Sequence, residues 1–345
     1  MKTKSLIKDR GTTVFMLALL AVAIILPKFP AFGKAYLLSI LIMTVYTAGC
    51  SLAWSILGGT LGTISLGHAA FGAIGAYIGT LFITELNLSP WIAMIVAFLV
   101  VGGMMTVLIY PCFCLKGTYF TLSTIAFGEA FRNVFTNWKA VGAGQGLSLP
   151  IVKAKSESLW MLAFNVKNKV NYYYVGLALA VMMYIIVKLI DSSKLGYALK
   201  TIREDEGTAQ AIGIKPIKFK LIATFLSCGL VAVMGVFYAC YIRYISPELM
   251  LQSKSLEFVL PAVIGGIGTV EGPIIGSLII VPLSQYLNST LGSRLPGLNL
   301  LIYALILIVV VLFRPSGILG WVKEVQQKKK IAAEKHQMNL NEEEA

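Results

Sequence analysis

Histidine is nearly missing from this sequence: among 345 residues only His68 and His336 occur. That leaves almost nothing for a histidine-based triad or a histidine-rich metal centre, and no metal site is expected. Charge is scarce too, at 13% Asp, Glu, Lys and Arg, against roughly 25% in a soluble domain. There is no G-x-x-x-x-G-K-[ST] stretch, so the chain carries no nucleotide P-loop, and G-x-S-x-G and H-E-x-x-H are absent as well. The residue inventory excludes a membrane-embedded enzyme, which would need clustered catalytic groups. Repeated intramembrane carboxylate pairs, which proton-driven carriers often use, are also lacking. Cys50, Cys112, Cys114, Cys228 and Cys240 lie in or beside apolar runs and read as small buried side chains. Residues 1–10 are basic, but the apolar run after them reaches Pro27-Lys28 without a small-residue cleavage site, so it reads as a retained helix.

What is abundant is apolar: 57% of the chain, with a mean hydropathy of +0.79. The charge deficit runs the whole length, which identifies an all-α, polytopic integral membrane protein. Apolar runs recur at 12–26, 36–57, 66–83, 91–110, 118–135, 172–190, 219–242, 273–287 and 298–313, with a shorter block at 258–268 that crosses or re-enters. Sixteen of the 29 basic residues fall in the two tails and in the stretch 194–220. The tendency of Lys and Arg to stay cytoplasmic puts all three on one side, which requires an even number of crossings and favours ten. The net charge of +13 is then assigned to orientation and anionic lipid, not to nucleic acid. The layout is a cytoplasmic tail 1–11, a membrane body 12–313 and a cytoplasmic tail 314–345. The body holds an external loop 137–171 and a cytoplasmic loop 191–218. The external loop has five lysines and the glycines Gly142, Gly144 and Gly146, which fits a flexible loop or a short helix lying on the membrane.

Glycine is placed unusually. Gly59-Thr60-Leu61-Gly62-Thr63 and Gly265-Gly266-Ile267-Gly268-Thr269 repeat G-x-x-G-T about two hundred residues apart, each after an apolar block. Short glycine-interrupted segments at matching places in two halves point to broken helices near a substrate path. Close helix packing through small residues is the alternative. Glu129 and Arg132 lie one helical turn apart and can pair, either beside a translocation route or as a structural pair at a helix end. His68 is either a polar packing residue or part of the same glycine-rich path. Gly62, Gly67, His68, Gly72, Glu129, Gly268 and Gly272 are the candidates for hinges or pathway lining.

The stretch 194–220 is the longest charged passage between apolar blocks, with six basic and three acidic residues. Leu195, Leu199, Ile202, Ala209 and Ile212 share one face if it is helical. Asp191 and Ser192 are candidate caps, the acids 204–206 suit a helix start, and Gly213 suits a helix stop before Lys215-Pro216. An apolar-faced helix of this size either docks into a partner's groove or lies on the bilayer.

Five motifs resemble one family. They are ISLGHAAFGAIGAY (64–77), KGTYFTLSTIAFGEAFRNVFTNW (116–138), ALKTIREDEGTAQAIGI (198–214), IGGIGTVEGPIIGS (264–277) and LFRPSGILG (312–320). Together they are similar to permease subunits of bacterial branched-chain amino acid ABC importers. KGTYF and FRPSGILG match the longer of the two paired permease types. The resemblance implies an inner-membrane importer with a second, different permease, two ABC ATPase subunits that hold ATP and Mg, and an extracytoplasmic substrate-binding protein. It implies no cofactor and no ATPase site on this chain, so the chain itself is not an enzyme. Arg203, Glu204, Asp205, Glu206, Ala211 and Gly213 match the ATPase-coupling pattern. Gly207 and Thr208 replace the expected alanine-like residues, so a looser helix start is expected there and Gly207→Pro should uncouple transport. Urea and short-chain amide permeases share these motifs and are the alternative. An ATP-independent carrier or channel, which would need no docking loop, is a second.

Overall fold

The computed structural model describes residues 2–28, 35–114, 118–150, 158–164, 169–291, 301, 305, 308 and 317–320. The run 298–313 and the C-terminal tail therefore lie largely outside the described residues. The other apolar runs all become helices: α1 Lys2–Ile25, α2 Ala35–Ser55, α3 His68–Thr84, α4 Pro90–Ile109, α5 Thr118–Asn137, α6 Val170–Ser192, α9 Pro216–Ile242, α10 Gln252–Gly266 and α11 Gly272–Leu291. Two short helices, α7 Lys194–Glu204 and α8 Glu206–Ala211, form the charged passage. Among the described residues the protein is all-α apart from β1 Leu147–Ser148 and β2 Tyr244–Ile245, which pair antiparallel, and an isolated bridge between Ser158 and Ala163.

Local chemistry sets several helix ends. Ser89 caps α4 by accepting from the Trp91 amide at 3.3 Å, with Pro90 at the first helical position, and Pro216 opens α9 in the same way. α2 runs on through a π-helical stretch, Ile56–Leu61.

Among the described residues, four helices are long and apolar enough to cross a membrane: α2 with its extension, α4 with the turn after it, α6 and α9. Their surroundings differ. In α2 and α9, 83% and 72% of the most apolar window is buried, against 39% in α4 and 33% in α6. α2 and α9 are thus the core, whereas α4 and α6 turn Ile95, Val107, Ile185 and Leu189 outward.

Small residues let the core helices close in. Gly72, Gly75 and Gly79 of α3 face Val231, Ala232 and Val236 of α9, so these two helices run parallel. Gly102 of α4 meets Phe225, and Gly229 of α9 meets Phe98, which makes that pair antiparallel. α10 and α11 form a second pair, joined where Gly265 meets Gly272 and Gly276 meets Pro261, and α2 packs against this pair, α6 and α9. Within the segment 258–268, residues 258–266 are the last part of a 15-residue helix and 267–268 turn out of it. That helix starts level with α3, where the Ala69 amide donates to Ser255 Oγ at 3.1 Å, and ends beside Gly59.

The described residues of the loop 137–171 include two 3-10 turns, Lys139–Val141 and Ala143–Gln145, and β1, and Arg243 staples them to the bundle. Its guanidinium donates to the Pro150 carbonyl at 2.8 Å and the Tyr172 hydroxyl at 3.0 Å, and its carbonyl accepts from the Leu149 amide at 2.9 Å.

Candidate functional site

The two G-x-x-G-T motifs meet in space. After Leu61, Gly62 takes φ +80° and its amide closes the π-helical stretch onto the Leu57 carbonyl, which also accepts from the Thr63 amide at 3.0 Å. In the other half Gly268 takes φ +83°, and Thr269 donates to the Gly266 carbonyl from its amide at 3.2 Å and its hydroxyl at 2.8 Å. Left-handed backbone at matching positions is what glycine permits at low cost. The Gly272 amide, opening α11, donates to Thr269 Oγ1 at 3.1 Å. The breaks touch: a Cβ on Gly59 would sit 3.3 Å from the Gly268 nitrogen.

Arg203, at the end of α7, reaches into this junction. Its Nη1 donates to the Gly59 carbonyl at 2.6 Å. A Cβ on Gly62 would come within 2.7 Å of Arg203 Cγ, and one on Gly268 within 2.8 Å of its Nη1. One side chain of the charged passage thus contacts both helix breaks.

The passage itself is two helices. Asp205 is extended (φ −157°, ψ 121°) and separates α7 from α8. α7 is capped by Ser193, one residue beyond the expected Asp191 and Ser192, which accepts from the Gly196 amide at 3.4 Å. Because of the kink, the apolar face is not free for a partner: Leu199, Ile202 and Ala209 are buried against the bundle, while Ile212 is 66% exposed. The expected looseness at Gly207 and Thr208 is not found. Asp205 caps α8 by accepting from the Thr208 amide, and this bonding holds its carboxyl below the usual range. At the other end Gly213, at φ +87°, donates to the Gln210 carbonyl at 2.9 Å while the Ile214 amide reaches Ala209 O at 3.0 Å, a Schellman stop. Glu206 pairs with Lys220 of α9 at 2.7 Å, and the Lys220 side chain is only 9% exposed. Glu204, Gly207 and Ala211 face solvent. Gly207 falls in the first turn of α8, where proline is tolerated, so Gly207→Pro is a weaker disruption than the sequence suggests.

Behind the junction lies a buried polar latch. His68 donates or accepts at both nitrogens, with Nδ1 2.9 Å from Ser65 Oγ and Nε2 2.9 Å from Ser227 Oγ. The Ser227 hydroxyl spends its proton on the Ala53 carbonyl at 2.7 Å. His68 Nε2 therefore donates to Ser227 Oγ, and with Ser65 at Nδ1 the ring ties α3 to α9 and, through Ser227, to α2. Gly67 caps the start of α3 against the Thr124 carbonyl. Glu129 pairs with Arg132 at 2.8 Å, both about one-third exposed, on α5; it lies away from the Arg203 junction.

Gly72 lines a cavity bounded by α2, α3, α9 and α10, together with Tyr46, Tyr238, Lys254, Glu257 and Phe258. Lys254 and Glu257 pair there at 2.7 Å. Sequence reasoning missed both; their signal is the i, i+3 spacing in Ser253-Lys254-Ser255-Leu256-Glu257, just ahead of an apolar block. Among the described residues no group of His, Cys, Asp and Glu could hold a metal ion.

Residues 36–311 match the family described as "Branched-chain amino acid transport system / permease component". The chain is 25% identical to the high-affinity branched-chain amino acid transport system permease protein LivM of Salmonella typhimurium, covering 90% of this chain and 76% of the relative. It is also 25% identical to LivM of Escherichia coli, over 95% and 80% of the two chains. With LivH of Salmonella typhimurium, a permease protein of the same kind of system, identity is 22% over 78% of this chain and 90% of the relative. A helix bundle built around two glycine breaks, matched along most of its length, places this chain in the family of permease components of branched-chain amino acid transport systems.

Proposed function

We propose that this chain is one permease subunit of an ATP-binding-cassette importer that moves branched-chain amino acids across the bacterial inner membrane. It pairs with a second permease of the LivH kind. Two separate ATPase subunits hold ATP and Mg and supply the energy; an extracytoplasmic binding protein delivers substrate. The chain has no ATPase site of its own.

The observation that carries this reading is the Arg203 contact with Gly59, Gly62 and Gly268. A motor pushing on α7 and α8 would move Arg203, and through it the ends of α2 and α10 and the starts of α3 and α11. That is a two-state element biased from outside the membrane. The exposed surface offered to the motor is Glu204, Gly207, Gln210, Ala211 and Ile212. In this reading both termini are cytoplasmic.

The test is uptake into proteoliposomes holding the whole complex, against leucine, isoleucine, valine and urea. ATP-dependent uptake of the three amino acids is expected. Urea uptake without leucine uptake would overturn the substrate, and leucine uptake without the ATPases would overturn the motor.

A further inference from the structure

We propose that the cavity between α2, α3, α9 and α10 is a binding station for an α-amino-acid zwitterion, with Lys254 facing its carboxylate and Glu257 its ammonium. This rests on the permease reading above and adds a recognition site within this subunit.

The cavity lies midway through the bundle. Tyr46 is roughly 16 Å along α2 from Ala35 and roughly 22 Å from Leu61, at 1.5 Å per residue. Two discontinuous helices begin beside it, α3 and α10, linked by the Ala69 amide and Ser255 Oγ. Helix starts at membrane depth are tolerated where they are buried in protein or line a cavity.

Its walls divide by chemistry. One side carries the Lys254–Glu257 pair, whose side chains are 44% and 33% exposed. Another is apolar and aromatic: Tyr46 packs on Tyr238 with ring centroids 5.0 Å apart and edge-on to Phe258 at 6.0 Å, with Met43 alongside. The third is made of the small residues Gly72, Ala73, Ala76 and Gly235, where α3 and α9 pack closely.

Ionisable groups at this depth are costly, and a pair needs a reason to be there. A zwitterion supplies one: it offers each ion an opposite charge, joined through a single carbon. When the station is empty, Lys254 and Glu257 satisfy each other, so neither is left as an unpaired ion. Binding exchanges one pair for two, which gives modest affinity and lets the substrate leave. A simple amine or a simple acid would leave one ion without a partner. Urea carries neither charge and would not open the pair.

The experiment uses the complete complex in detergent, without the binding protein, and a diazirine analogue of leucine as photocrosslinker. Adducts are expected on peptides containing Tyr46 or Glu257, suppressed by excess leucine. 3-Methylbutylamine and 4-methylpentanoate, which each lack one charge, should compete about tenfold less well. Absent adducts, or equal competition by all three, would overturn the station. In the charge swap Lys254→Glu with Glu257→Lys the pair persists but its polarity is inverted; about tenfold less crosslinking is expected, and unchanged labelling overturns the proposal. If the swap does not assemble, the competition on the native complex still decides. Native uptake separates the two readings: leucine uptake without a competed adduct sinks the station alone, whereas absent leucine uptake sinks the permease reading.

Discussion

Arg203 spends its guanidinium on a backbone carbonyl although three carboxylates follow it in the chain. A hydrogen bond from a charged donor contributes about 1.5–3 kcal/mol when well shielded, and less here because Arg203 is exposed. Arg203→Ala should assemble and yet lose about tenfold or more in leucine uptake, together with substrate-stimulated ATP hydrolysis. Full stimulation in that variant would mean the junction does not transmit. Arg203→Lys keeps the charge but not the planar fork and should recover only part. Gly268→Ala forces a side chain into left-handed backbone and against Arg203. That costs roughly 1–2 kcal/mol, and the melting temperature of the purified complex should fall by a few degrees. Asp205 gives a pH test. Its folded-state pKa is lowered by bonding from Thr208, so its cap is fully present above about pH 4 and fades as pH falls through the lowered value. Asp205→Asn retains a capping side chain and should abolish that acid-side dependence, read as amide exchange across residues 206–211.

At the scale of elements, α8 is held to α9 by Glu206 and Lys220, and Lys220 also lies over the Phe113 ring at 5.7 Å. Removing only Glu206 leaves a nearly buried ammonium unpaired, whereas an apolar replacement of Lys220 suits its surroundings. Glu206→Ala should therefore lower thermal stability by a few degrees, and adding Lys220→Met should restore most of the loss; no recovery in the double variant would show that the pair is not what holds α8. These elements were unevenly legible in the sequence. The long helices were, because runs such as 219–242 are apolar on every face, and so were the glycine breaks, because G-x-x-G-T repeats. The kink at Asp205 was not: a period drawn from Leu195 to Ile212 assumes one helix, and an extended residue between two helices turns Ile212 out to solvent. Lys254 and Glu257 escaped because the apolar block was drawn from Phe258, one residue after the pair ends. The latch around His68 needs Ser227, 159 residues away, and Arg203 lies 144 residues from Gly59; no local pattern announces partners at such distances.

For the whole molecule, α9 runs from the α7–α8 side to β2, and the loop bearing Lys139 lies on the β side. Cys50, Cys112, Cys228 and Cys240 are buried, so in a Cys114→Ser background reporter cysteines stand out from them. In intact cells, Lys139→Cys should react with a membrane-impermeant maleimide, and Gln210→Cys should react only after permeabilisation; the reverse pattern would invert the orientation. In the proposed importer, the Arg203 junction also limits how the two breaks move. Two hinges that share one pin do not swing separately: with a single guanidinium against both breaks, one coordinate replaces two. Of the four combinations that two independent hinges would allow, the proposed coupling removes the mixed ones and leaves a pair of shapes.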